Sequence, residues 1–262
     1  MNKLNMLERI DPELLDRMTS RRGLFREGAG AARAVAASSI PLGLAGLAKR
    51  AFAQASGLPQ EIVDALNFAL TLEYLEDEFY QMGNAASGLI PAGDQVVFQQ
   101  IGAHETAHVA FLESVLGDDA VAEPTFDFTA GGMFPDVFTN YQTFLALSQG
   151  FEDTGVRAYK GQAGVVKPND VALSAALRIH SVEARHAAQV RRMRGRKGWI
   201  VEERNDVPAL QPVYEGENDT IFLGINAAVG TGSVPVSATT AAFDSPLTVE
   251  QVLAIADPFI VG

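Results

Sequence analysis

Two Glu-x-x-His pairs stand out in the chain: Glu105-Thr106-Ala107-His108 and Glu183-Ala184-Arg185-His186. On a helix, positions i and i+3 lie one turn apart on the same face. A Glu and a His in that relation both reach one metal ion, the carboxylate bridging and the imidazole terminal. The surroundings of each pair repeat. Glu73 is followed by Tyr80 seven residues later, and Glu152 by Tyr159 seven residues later. Glu73 precedes Glu105 by 32 residues, and Glu152 precedes Glu183 by 31. Four carboxylates with two neutral imidazoles carry −4, which balances two divalent cations. Hard oxygen and imidazole ligands suit iron or manganese. With four His and 17 Glu in 262 residues, template counting gives about 0.26 chance pairs of this kind.

Each of these residues falls in a helical pattern. The apolar spacing Ile62, Leu66, Ala69, Leu72, Leu75, Phe79 predicts a helix from Pro59 to Gln81, with Gly83 just past its end. A second runs from Asp94, read as its cap, to Leu116, with Gly117 after it. A third spans Phe138 to Lys160, where Gly161 and Gly164 are read as breaks, and a fourth spans Asp170 to Arg194. From Gly198 the pattern is lost, except for a short helix at Thr248 to Ala256 capped by Thr248. The first and third connections are short and join antiparallel neighbours. The middle one is about 20 residues, enough to span roughly 65 Å extended, against about 35 Å for a 23-residue helix. A long crossover in the middle of four helices is the ferritin-like arrangement. The expected fold is all-α: a four-helix bundle over 58–197 with a long crossover between helices two and three. An irregular extension over 198–262 follows, expected to pack on the bundle; wrapping, short strands and a dimer contact all remain open for 198–247.

The sequence resembles the ferritin-like superfamily, and within it the desiccation-related ferritin-like domain proteins, from about residue 58 to the C-terminus. The resemblance is carried by Leu66-Asn67-Phe68-Ala69-Leu70-Thr71-Leu72-Glu73-Tyr74-Leu75-Glu76, Pro124-Thr125-Phe126-Asp127-Phe128, Phe151-Glu152-Asp153-Thr154-Gly155-Val156 and Asp244-Ser245-Pro246-Leu247-Thr248. It implies Glu73, Glu105, His108, Glu152, Glu183 and His186 as ligands of two divalent metal ions, iron or manganese. Glu76, one turn past Glu73, is the alternative ligand on its helix. Tyr80 and Tyr159 are candidates to hydrogen-bond ligand carboxylates; the other reading is core tyrosine. His180, three residues before Glu183, either lines the site or is a structural histidine. His104 is expected to be exposed or to stand behind a ligand. The basic run Arg185, Arg191, Arg192, Arg194, Arg196 and Lys197 suits a helix C-terminus, and Trp199 is expected as a core anchor.

The N-terminus suggests export. Ser20-Arg21-Arg22-Gly23-Leu24-Phe25-Arg26 precedes a mildly apolar Ala/Gly-rich stretch, Gly28 to Ala48, and then Lys49-Arg50-Ala51-Phe52-Ala53-Gln54-Ala55. That order fits a twin-arginine signal peptide over 1–55, cut after Ala53 or Ala55, with the twin-arginine translocase as partner. A periplasmic or other extracytoplasmic location is then expected. Arg33 and four glycines between 28 and 46 make a membrane anchor a poor fit. The chain carries 20 Lys+Arg against 32 Asp+Glu, net −12, and no Cys. Without residues 1–53 the balance becomes 11 against 27, net −16. Such acidity argues against duplex nucleic acid as a partner, and the missing Cys excludes disulfides, zinc ribbons and iron–sulfur clusters. The leading expectation is an exported dimetal oxidoreductase acting on O₂ or H₂O₂, ferroxidase- or catalase-like. The alternative is a stress-protective structural protein whose metal is non-catalytic. An iron-storage cage fits less well, because the long tail is unlike a short fifth helix. The oligomeric state, including a homo-oligomer, is left open.

Overall fold

A computed structural model describes residues 57–261, apart from 223 and 230–233. The expected export signal, residues 1–55, lies outside the described residues. Four long helices form the body: α1 (Gln60–Ala85), α2 (Gln95–Leu116), α3 (Tyr141–Val166) and α4 (Asp170–Met193). Short connections over 86–94 and 167–169 pack α1 on α2 and α3 on α4, and α1 also packs on α3. Tyr80 meets Glu152 while Tyr159 meets Glu73, so α1 and α3 run antiparallel. Helices α2 and α3 therefore point the same way. The connection over 117–140 has to travel the length of the bundle, which is why it is long.

That crossover is not a loose strap. Phe126, Phe128 and Phe134 on it are buried. The Phe128 ring lies 5.3 Å from Phe79 and 5.7 Å from Phe138, joining an aromatic cluster with Phe144 and Phe151. Among the described residues, four two-residue strands accompany the helices: β1 (Thr125–Phe126), β2 (Ile221–Phe222), β3 (Ile225–Asn226) and β4 (Ile260–Val261). β1 pairs antiparallel with β4, which ties the C-terminus to the crossover, and β2 pairs with β3. Two short helices, α5 (Val236–Thr240) and α6 (Val249–Ala256), complete the extension, and Thr248 with Gln251 forms a capping box at the start of α6.

The extension packs on α3 and α4 through buried charge. Arg157 on α3 is fully buried. Its guanidinium donates to the carbonyls of Ser245 (2.7 Å), Glu215 (2.7 Å) and Val213, and lies 3.1 Å from Glu217. Arg191 on α4 donates through Nε to Asp153 at 2.9 Å, and the Tyr214 hydroxyl donates to the same carboxylate at 2.9 Å. Arg194 and Arg196 pair with Asp206. Part of the basic run therefore fastens the extension rather than only easing a helix end. Trp199 is not a core anchor: it is 54% exposed, with Lys197 Nζ 5.9 Å from its ring centre.

Four helix-end expectations are corrected by the structure. Helix α1 continues past Gly83, where a Cβ would run into the Phe144 ring. Helix α3 continues through Gly161 and Gly164, and a Cβ at Gly161 would overlap the Leu247 carbonyl. Gly83 lets α1 approach α3, and Gly161 lets the extension approach α3. Asp94 makes no capping bond; its Oδ2 accepts from the Tyr141 hydroxyl at 2.8 Å. The start of α3 shifts to Tyr141 because Asn140 caps it, accepting from Gln142 N. The two glycines of α3 separate the effects. Gly161→Ala is expected to destabilise by about 1–3 kcal/mol through overpacking. Gly164→Ala, with open space around it, is expected to stabilise by about 0.5–1 kcal/mol through helix propensity. Urea midpoints of the two variants check this, and equal shifts of one sign would contradict it.

Candidate metal centre

Each long helix brings its acidic or imidazole groups to one level of the bundle. Glu73 and Glu76 come from α1, Glu105 and His108 from α2, Glu152 from α3, and Glu183 and His186 from α4; all seven are buried. Donor atoms of Glu73, Glu105, His108 and Glu183 lie within 4.8 Å of one another, as do those of Glu105, Glu152, Glu183 and His186. Glu105 and Glu183 belong to both groups. The two Glu-x-x-His carboxylates thus lie between a Glu73–His108 side and a Glu152–His186 side.

Hydrogen bonding does not account for this arrangement. His108 Nδ1 lies 2.9 Å from Glu105 Oε2, 3.1 Å from Glu73 Oε2 and 3.3 Å from Glu183 Oε1. One ring nitrogen carries at most one proton, so it cannot donate to three oxygens. His186 Nδ1 is 2.8 Å from Glu105 Oε1 and 3.3 Å from Glu152 Oε2. Yet that nitrogen, both those oxygens and both Glu183 oxygens are buried without a hydrogen bond. Close approach of bare lone pairs is how donor atoms sit around a shared cation. Buried polar groups are otherwise almost always paired.

Charge leads to the same conclusion. Burial pushes the Glu73 carboxyl up to about 7, against the lowering pull of His108. Burial and then the surrounding carboxylates push Glu76 and Glu183 well above the usual range, and burial raises Glu152 despite His186. Burial also opposes charge on Glu105, but the His108 and His186 imidazoles outweigh it and hold that carboxyl at about 2. His186 is held protonated up to about 11, since Glu152 and Glu105 overcome its burial. Five carboxylates exceed what two imidazolium ions neutralise. The donor set fits bound metal cations, with Glu76 left as an extra acid beside Glu183.

The candidate tyrosines are cross-linked to the cluster. Tyr80 on α1 donates to Glu152 Oε1 at 2.5 Å, and Tyr159 on α3 donates to Glu73 Oε1 at 2.5 Å. Each tyrosine holds the carboxylate of the opposite half. His180 does not join them. Its place on α4 turns it to an outer cleft with Lys160, Trp199 and Phe243, away from the six-residue group. His104 is half-buried and meets His186 at 2.8 Å. Glu76 is a gain from the structure: the sequence set it as an alternative to Glu73, and the bundle buries both. Gly155 makes the room, since a Cβ there would sit 3.2 Å from Glu183 Oε2 and 3.3 Å from Glu76 Oε1.

A cluster built this way costs stability until its charge is met. Glu183→Gln is expected to stabilise the metal-free protein by about 1–3 kcal/mol at pH 7. The sign follows from the raised carboxyl: its penalty is absent below about 4.5, where the unfolded group is protonated, and grows as pH rises above that. Denaturation of wild type and variant at pH 4 and pH 7 checks it. A variant that is less stable at pH 7 would overturn the reading.

Among curated proteins, none matches the chain. A family model described as a ferritin-like domain matches residues 61–196, more than half of its length, from the first turn of α1 to just past α4. By that match, which spans every member of the buried cluster, the chain belongs to the ferritin-like domain family.

Proposed function

We propose that this is an exported dimetal carboxylate protein with oxidoreductase chemistry toward O₂ or peroxide. The observation that supports it most is the pair of four-donor groups sharing Glu105 and Glu183. Glu73 and His108 would hold one ion and Glu152 and His186 the other, with Glu105 and Glu183 between them. Bound iron or manganese would supply two-electron exchange with O₂ or H₂O₂. The chain's own residues do the rest. Tyr80 and Tyr159 fix two carboxylates by hydrogen bonds, so these do not swing into other rotamers. The full burial of all four expected carboxylate ligands keeps bulk water away. Glu76 keeps a proton, because burial and its neighbouring carboxylates disfavour its charge. The solvent-near side is that of the two imidazoles, each 5% exposed while Glu73, Glu105, Glu152 and Glu183 are fully buried.

Metal analysis of the purified protein should find about two ions per chain. Glu105→Ala and His186→Ala should each lose metal; full retention in both would overturn the ligand assignment. Aerobic Fe(II) oxidation and H₂O₂ disproportionation then decide the chemistry. Two bound ions without either turnover would favour the protective structural reading.

Export rests on residues 20–55. Among the described residues, no helix is long and apolar enough to cross a membrane. The exported form is expected to begin at Gln54 or Ser56. Replacing Arg21 and Arg22 by Lys together should leave an uncleaved chain in the cytoplasm, as N-terminal sequencing of fractions would reveal. Normal processing of that variant would count against the twin-arginine route.

A further inference from the structure

The two halves of the bundle differ in what stands behind the imidazoles. His186 turns Nδ1 toward Glu105 and Glu152. Its other nitrogen, Nε2, lies 2.8 Å from Nδ1 of His104 on α2, with the rings 5.1 Å apart and 11° from parallel. His104 Nε2 in turn lies 2.8 Å from the amide nitrogen of exposed Gln100, one turn back on α2. A continuous hydrogen-bond chain therefore runs from the buried cluster to the surface. Among the described residues, the other half has no such chain. Counting from the Glu of each Glu-x-x-His pair, the position before it is His104 in one half and Val182 in the other. Five residues before it, Gln100 is matched by Arg178. Valine offers no hydrogen bond. Among the described residues, the His108 contacts all run through Nδ1.

Resting on the dimetal reading above, we propose that His104, backed by Gln100, is a positioning residue for the His186 side only, and that the two metal positions are therefore unequal. An imidazole that gives its Nδ1 lone pair to a cation carries its proton on Nε2. That Nε2–H then donates to a bare His104 Nδ1, so His104 carries its own proton on Nε2 and needs an acceptor there. Rotating the Gln100 amide presents its oxygen to that proton. The opposite polarity is open to the same three side chains: the Gln100 NH₂ can donate to His104 Nε2, and His104 Nδ1–H to His186 Nε2 whenever that nitrogen carries no proton. Both polarities satisfy every member of the chain. Changing between them needs only an amide rotation at the exposed end, where water compensates. His104 thus locks the His186 ring in either state, whereas His108 depends on its own carboxylates alone. Partners of this kind behind a ligating histidine are worth roughly 10–100-fold in metal affinity.

The test uses Zn(II) alone as the probe, titrated into the metal-free full chain. Wild type should bind two ions. His104→Ala should bind the first as wild type does and the second about 10–100-fold more weakly. His104→Gln, which restores an amide acceptor, should recover part of the loss. Long-range ¹H–¹⁵N spectra of the zinc-loaded wild type should show His186 as the Nε2–H tautomer, a signature that general loosening would not produce. Equal thermal midpoints of metal-free wild type and His104→Ala separate the effect from misfolding; if that variant is destabilised, the tautomer and His104→Gln affinities carry the decision. Two unchanged zinc affinities in His104→Ala, or an Nδ1–H tautomer in loaded wild type, would overturn the positioning role and leave the dimetal reading intact. A wild type that binds no zinc would overturn both.

Discussion

An ionised carboxylate taken out of water without a partner costs several kcal/mol, and this bundle buries five carboxyl groups around two imidazoles. Most of the structure can be understood as the means of holding that charge in one place. Four helices each contribute at one level, so no single element carries the whole repulsion. The antiparallel pairing of α1 with α3 lets each tyrosine reach across to the carboxylate of the other half. Those bonds orient the carboxylates without neutralising them. The remaining excess of negative charge is what a pair of divalent ions would answer.

Such a cluster needs a rigid surround, and the surround is aromatic and tightly approached. Phe79 stacks on Phe144 at 4.9 Å and meets Phe151 edge-on at 5.0 Å. Gly83 admits the Phe144 ring, and Gly155 leaves the space that Glu76 and Glu183 share. The crossover adds Phe128 and Phe138 to the same cluster, so the segment that reverses the topology also seals it. Farther out, Arg157 and the Arg191–Asp153 pair fasten the extension to α3 and α4. Removing one partner of a buried pair of this kind costs about 3–5 kcal/mol. The extension is therefore part of the fold's stability and not an appendage.

The repeat of the two halves is real in the ligand-type residues and broken in what surrounds them. Glu73 with Tyr80 matches Glu152 with Tyr159, and both hydroxyls do the same thing. Glu76 has Gly155 as its counterpart, and His104 has Val182. Both departures lie in the first half, which carries the extra acid on α1 and the extra imidazole on α2. A bundle whose halves repeat but depart from symmetry at these positions gives its two groups of donor atoms unlike surroundings.

What the sequence alone determined was whatever depends on spacing along one helix. The i, i+3 relation of Glu105 with His108 and of Glu183 with His186 follows from 3.6 residues per turn. So do the four amphipathic helices, the long middle connection and the Thr248 cap. What only the tertiary structure decided depends on which helix faces which. It took the packing to show that Gly83 and Gly161 are close approaches rather than helix ends, because a glycine's role lies in the neighbour it admits. The burial of Glu76 together with Glu73 required Gly155, 79 residues away in sequence. His180 and His104 looked alike as stray histidines, and the bundle sent one to an outer cleft and the other against His186. Trp199 came out exposed because the turn after α4 places it on that cleft's rim, and Arg157 became the anchor of the extension through carbonyls 56 to 88 residues farther along the chain. Local periodicity records the face a residue occupies on its own helix, while a buried charge is settled by partners that only folding brings near.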